Sequence, residues 1–328
     1  MVTSRYRSLF WPILLISVGL IWFLGNMNVI PNFNPLVLLN LWPLLLIALG
    51  LDLLIGRRSP VIGLLIGLAT VAAAAALVIA VPNLGGGGQF VTERFSEPLG
   101  ITATASVEVH GASQPVEVHK LNDSTSLFDA QIGHYGQMNF EVSSGNAKTI
   151  SLRRAPEDGS FNLNFGITAV DLRWDIGLSP SVPLALKVDG ASGSTRLNLA
   201  GLQLQSLTVD GGSGSFDIFL PVGEKPYTLD YRGGSGSLNL DLPANTDLTV
   251  RLDGSSGSLN LTLPANAAVH VDVKDNGSGT INLPAALARL SGKSNEDQGT
   301  WETSGFALAA HKITIIVQDL SSGSINIR

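Results

Sequence analysis

Ser213-Gly214-Ser215-Phe216-Asp217-Ile218-Phe219-Leu220, Ser235-Gly236-Ser237-Leu238-Asn239-Leu240-Asp241-Leu242 and Ser256-Gly257-Ser258-Leu259-Asn260-Leu261-Thr262-Leu263 are three copies of one pattern. Each opens on Ser-Gly-Ser and continues with polar and apolar residues in alternation, so one strand face is apolar and the other polar. The turn recurs as Ser192-Gly193-Ser194, Ser278-Gly279-Thr280 and Ser322-Gly323-Ser324, with successive central glycines 21, 22, 21, 22 and 44 residues apart. The last interval is two periods and contains a less regular turn at Ser304-Gly305. Fixed spacing over more than a hundred residues predicts a solenoid in which each unit stacks on the last.

A second alternating stretch follows each Pro-containing turn, as in Leu248, Val250, Leu252 and Val269, Val271, Val273. Each unit therefore supplies two short strands whose apolar sides close over a thin core. Glycine permits sharp corners and small serines let the turns stack. The expected fold class is N-terminal transmembrane α-helices plus an all-β C-terminal domain, a repetitive β-solenoid or stacked two-sheet architecture with a 21–22 residue repeat. Phe90 to Ser181 is less regular but also strand-like, with Val107-Glu108-Val109, Val116-Glu117-Val118 and Phe161-Asn162-Leu163-Asn164-Phe165 set between turn residues.

The first quarter of the 328-residue chain differs sharply. Leu9 to Leu24, Leu36 to Ile55 and Val61 to Val81 are apolar runs, the third 21 residues long, enough for about 30 Å of hydrocarbon. Three runs in series do not fit a cleaved signal peptide. Trp11-Pro12 and Trp42-Pro43 begin the first two runs, 31 residues apart, and Gly19, Gly25 return as Gly50, Gly56. This suggests a duplicated hairpin with interfacial Trp anchors and glycines for helix packing. The expected division is 1–82 transmembrane, with spans 9–27, 36–55 and 61–81, then 83–89 as a Gly-rich tether, 90–188 as a first β part and 189–328 as the repetitive solenoid.

Up to Val81 the charged residues are Arg5, Arg7, Arg57, Arg58 and Asp52; four cations against one anion give +3, leaving −9 for the remainder of a chain at −6. The arginines precede the first run and lie between the second and third, which predicts a cytoplasmic N-terminus and an extracytoplasmic β-domain in a multi-pass cell-membrane protein. Asp52 near Arg57 reads as a snorkelling acid. An acidic exported half disfavours nucleic acid. The chain has no cysteine, which removes disulfides, thiol catalysis and Cys-zinc sites.

Four residues before the repeat glycine stands Asp189, Asp210, Asp253, Asp275 or Asp319, with Arg232 in the remaining unit. Stacked rungs bring such residues about 4.8 Å apart. Turn capping, with Arg232 between Asp210 and Asp253, is the favoured reading of this column; divalent-cation binding and glycan cleavage by paired aspartates are the alternatives. His110, His119, His134, His270 and His311 show no metal-binding or catalytic spacing and are expected on solvent-facing strand positions. No catalytic residue, cofactor or metal is expected.

Leu9-Phe10-Trp11-Pro12-Ile13-Leu14-Leu15-Ile16 through Arg57-Arg58 resembles the paired-helix membrane region of LiaF-like envelope-stress proteins, although three spans are counted here against their usual four. Leu172-Arg173-Trp174-Asp175-Ile176-Gly177-Leu178 through Val188-Asp189-Gly190-Ala191-Ser192-Gly193 and Leu197-Asn198-Leu199-Ala200-Gly201-Leu202 resembles the toast-rack domain. Gly299-Thr300-Trp301 through Gly323-Ser324-Ile325-Asn326-Ile327 is similar to the ends of bacterial β-solenoid adhesin domains. The resemblance implies a non-enzymatic cell-envelope protein that senses or scaffolds at the membrane surface. Its implied partners are membrane lipid, a membrane histidine kinase of the cell-wall stress response or another envelope protein, and cell-wall glycan. The alternative is a membrane-tethered adhesin or glycan-binding module.

Overall fold

The computed structural model describes residues 12, 15–17, 19, 42–54, 60–80, 90–111, 113–134, 136–155, 172–190, 192–254, 256–275, 277–292, 298–320 and 322–328. The expected span at 9–27 lies almost wholly outside the described residues, and the tether at 83–89 and the strand at 161–165 lie entirely outside them. Two compact units result: Met1–Gln89 with Glu157–Val170, and Phe90–Pro156 with Asp171–Arg328.

In the first unit, α1 (Trp42–Leu54) and α2 (Pro60–Ala80) are uniformly apolar helices, apart from Asp52 and Thr70. Ala48 of α1 is buried with Leu49 and Ile66 against it, and Gly63 and Gly67, one turn apart on α2, are also buried. Small residues at this spacing let helix backbones approach closely. Asp52 is 5% exposed and lies one turn beyond Ala48, on the same face; Arg57 lies outside the described residues. The α2 backbone rises about 31 Å at 1.5 Å per residue, but its side chains are described only over 61–74 and at 76. Among the described residues no helix is long and apolar enough to cross a membrane.

The second unit is mainly β, with a 3-10 turn at Phe306–Leu308. Its strands begin with β1 (Val91–Pro98), β2 (Thr104–His110), β3 (Val116–Lys120), β4 (Ser126–His134), β5 (Met138–Val142), β6 (Ala147–Arg154) and β7 (Trp174–Leu178). The regular repeat gives β8 (Pro183–Gly190), β9 (Ser194–Asn198), β10 (Gln203–Gly211), β11 (Ser215–Phe219), β12 (Tyr227–Arg232), β13 (Ser237–Asp241), β14 (Leu248–Asp253) and β15 (Ser258–Thr262). The C-terminal part adds β16 (Val269–Val273), β17 (Thr280–Asn282), β18 (Leu287–Ser291), β19 (Gly299–Thr303), β20 (Ile313–Asp319) and β21 (Ser324–Ile327).

These strands form two large mixed sheets. One runs β1-β4-β7-β3-β9-β11-β13-β15-β21-β17 and the other β18-β19-β16-β20-β14-β12-β10-β8-β2-β6-β5. Each rung sends one strand to the second sheet and the next to the first, and rungs pair in parallel, as in Leu229 with Val250 and Leu240 with Leu261. The apolar alternate residues of both sheets, from Ala105 to Ile327, join one core that is continuous across residue 188. Each fully buried large apolar side chain contributes about 1.5–3 kcal/mol.

Two rungs are out of chain order. β6 and β7 lie outside β2 and β3, and β20 and β21 insert between the rung of β14 and β15 and that of β16 and β17. The expectation that each unit of the 189–328 repeat stacks on its predecessor is therefore corrected at its C-terminal end. The hairpin β18–β19 adds antiparallel strands beyond β16, which sends the chain back to the open side of β14. Antiparallel β5, β1 and β4 flank the other end, and the remaining edge, β17, has only three residues.

Repeat glycines are required by contact rather than by turn conformation. A Cβ on Gly236 would lie 1.7 Å from the carbonyl oxygen of Gly214, and one on Gly257 would lie 1.5 Å from that of Gly236. The corners stack backbone on backbone.

Candidate functional site

Alternation along each strand leaves one residue in two facing outward, and register then joins these into columns across the sheets. One crosses all ten strands of the first sheet: Arg94, Gln131, Asp175, Glu117, Arg196, Asp217, Asn239, Asn260, Asn326 and Asn282 are successive register partners. At the amide end it is a hydrogen-bonded ladder. Asn282 donates to Asn326 at 2.7 Å, Asn326 to Asn260 at 3.1 Å, Asn260 to Asn239 at 3.0 Å, and Asn239 to the Asp217 carboxylate at 2.7 Å.

The other end of the column is charged and concave. A cleft of about 410 Å³ is lined by Glu93, Arg94, His119, Asp129, Gln131 and Asp175. Arg94 makes a bidentate pair with Asp129 at 2.7 and 2.6 Å, which raises the guanidinium pKa above its ordinary value, first through the hydrogen bond and then through the charge. Next to it, a cleft of about 310 Å³ is lined by Glu117, Arg173, Arg196 and Asp217 among others. Asp123, in the turn before β4, has its pKa lowered by the backbone N–H groups of Ser126 and Thr125.

The aspartate column lies at the end of the second sheet's strands. His110, Asp189, Asp210, Arg232, Asp253 and Asp319 are successive register partners. A histidine and two cations interleave part of it. Asp189 lies 2.5 Å from His110 Nδ1, Lys187 Nζ lies 3.6 Å from Asp189 and 3.9 Å from Asp210, and Arg232 is 3.6 Å from Asp210. Asp275 accepts the Gly277 backbone N–H at 2.8 Å, a local turn contact. Among the described residues no group of three or more His, Cys, Asp or Glu side chains could hold a metal ion.

One histidine departs from the sequence reading. His134 is 4% exposed rather than solvent-facing, and each of the five has a carboxylate within 4 Å. The remaining partners are Asp175 for His119, Glu93 for His134, Glu302 for His270 and Asp247 for His311. These four pairs span 32 residues or more, whereas His110 also has Glu108, two residues away, at 3.6 Å.

Residues 10–90 match the LiaF transmembrane domain, and residues 102–241 match the N-terminal domain of toast_rack, DUF2154. The chain joins a LiaF transmembrane domain to a toast-rack domain. The LiaF match implies membrane anchoring for the helices α1 and α2, and neither family is a known catalytic one. The toast-rack match begins just before β2 and ends with β13, so it includes most of the regular rungs. Among solved structures, a "putative cell adhesion protein" from Clostridium sporogenes is 15% identical, with a TM-score of 0.46, over 73% of this chain and 99% of that one. A "putative adhesin" from Bacteroides fragilis is 13% identical, with a TM-score of 0.36, over 73% of this chain and 97% of that one. No curated protein matches the chain.

Proposed function

We propose that the chain is a non-enzymatic bacterial cell-envelope protein that senses or scaffolds at the membrane surface and modulates a membrane histidine kinase of the cell-wall stress response. The observation that carries this reading is the LiaF transmembrane match over residues 10–90, followed in the same chain by the toast-rack domain. Three spans, at 9–27, 36–55 and 61–81, put the N-terminus in the cytoplasm and the β-domain outside. Arg5, Arg7, Arg57 and Arg58 support that orientation, because basic residues flanking spans are retained on the cytoplasmic side. The buried Ala48, Gly63 and Gly67 support close packing of α1 and α2 within the chain's own membrane region.

Purification of the full chain from detergent-solubilised membranes of its own host tests the reading. Recovery of a histidine kinase in stoichiometric amount is the expected result. Its absence, with the protein intact and folded, overturns the kinase partnership.

A further inference from the structure

The outward column of the first sheet is continuous with the two clefts. Arg94, Gln131 and Asp175 line the larger cleft, and Glu117, Arg196 and Asp217, the next three members, line the smaller. The column then runs on as the amide ladder of Asn239, Asn260, Asn326 and Asn282. Ten strands at about 4.8 Å make a track about 43 Å long, perpendicular to the strands.

The chemistry of this track narrows what can occupy it. Its cleft walls carry Arg94, Arg173 and Arg196 against Glu93, Glu117, Asp129, Asp175 and Asp217, an acidic excess that repels a polyanion. Among the described residues, Leu121, Pro115 and Val116 are the only apolar ones lining the two clefts, too few for an acyl chain. The rest are carboxylates, amides, guanidinium groups, hydroxyls and an imidazole. Planar groups with two adjacent donors or acceptors match pairs of neighbouring hydroxyls.

Two features favour a polymer over a single small molecule. The clefts lie two to three strand spacings apart, about 10–15 Å, a distance of two to three sugar units. Asn239, Asn260 and Asn326 each use one N–H and one lone pair within the ladder and keep another of each for a ligand. The pairs Arg94–Asp129, His119–Asp175 and Arg173–Glu117 fix many of these groups in advance, which lowers the ordering cost of binding.

We infer that the outer face of the first sheet is a binding track for an extended, uncharged glycan, seated in the two clefts and running along the Asn ladder. This goes beyond the kinase reading and does not depend on it: that reading fails on co-purification, whereas this one fails on glycan titration.

The test titrates the full chain in detergent micelles with a linear N-acetylglucosamine hexamer, and separately with polygalacturonate as an anionic polymer, by isothermal calorimetry. Saturable binding of the hexamer is expected. It should weaken at least tenfold in Glu117→Ala/Arg196→Ala and remain within twofold in Thr228→Ala/Thr249→Ala on the outer face of the other sheet. Gln131→Ala, which removes no charge or ion pair, gives an independent loss if the double variant melts early. No binding of the hexamer, equal weakening by the second-sheet variant, or tighter binding of polygalacturonate overturns the assignment.

Discussion

Asn260 donates its side-chain N–H to the Asn239 carbonyl oxygen at 3.0 Å and accepts the equivalent bond from Asn326 at 3.1 Å, although Asn326 is 66 residues away in the chain. The ladder thus records the insertion of the last rung. A position between two ladder bonds should cost more to remove than one at the end.

Asn260→Ala is expected to destabilise the β-domain by about 1–2 kcal/mol, and Asn282→Ala, which loses one bond, by about 0.5–1 kcal/mol. Denaturant titration of the full chain in micelles, followed by tryptophan fluorescence, checks the order. Equal costs would show that the ladder bonds do not survive in solution.

The glycine corners predict a larger effect. Gly236→Ala places a methyl group 1.7 Å from a backbone oxygen that cannot swing aside. A loss of about 3 kcal/mol or more follows, as expected when a core must shift. Ser237→Ala beside it should change little. Limited proteolysis of both variants provides the comparison, and a resistant Gly236→Ala domain would refute the stacked corner.

Arg232 lies 3.6 Å from Asp210 and shares register with Asp253. Its side chain is 68% exposed, so solvent and salt screen its contribution. Arg232→Asp should lower the melting temperature by a few degrees at low salt, with most of the loss restored at 1 M salt, where the Debye length is about 3 Å. Millimolar calcium against chelator should leave the wild-type melt unchanged. A rise of many degrees with calcium, abolished by Asp253→Asn/Asp275→Asn, would turn the column into a cation site.

Burial raises the pKa of Tyr227 and pushes that of Tyr231 up to about 12. Both phenols stay protonated in the fold at pH values where the unfolded chain has already lost its protons. Their stabilising contribution is complete below about pH 10 and is lost as pH rises from there through about 12. Thermal melts across this window should show a steep alkaline decline, shallower in Tyr231→Phe. An identical decline in that variant would assign the loss to other groups.

The charge distribution around the apolar runs predicts that protease added to intact spheroplasts digests the chain beyond residue 89 and leaves the membrane region. Protection of the β-domain until the membrane is opened would reverse the orientation.

Alternation and period carried much of the architecture, because they depend only on which residues avoid water. Phe216, Ile218, Leu238, Leu240, Leu259 and Leu261 are buried as the period-two pattern requires, and the Ser-Gly-Ser corners mark where the chain passes between sheets. Turn chemistry was legible at Asp275, whose contact is two residues away. What periodicity cannot encode is which rung lies beside which, since any apolar strand of the right length satisfies the same core. Tertiary structure alone placed β20 between β14 and β16, β6 outside β2, and a carboxylate from a distant strand or loop beside each histidine. It also brought Arg94, from the first strand, into one column with Asn282, from near the end of the repeat. A column across a sheet is a product of register, and register is fixed by strand pairing between residues far apart in the chain.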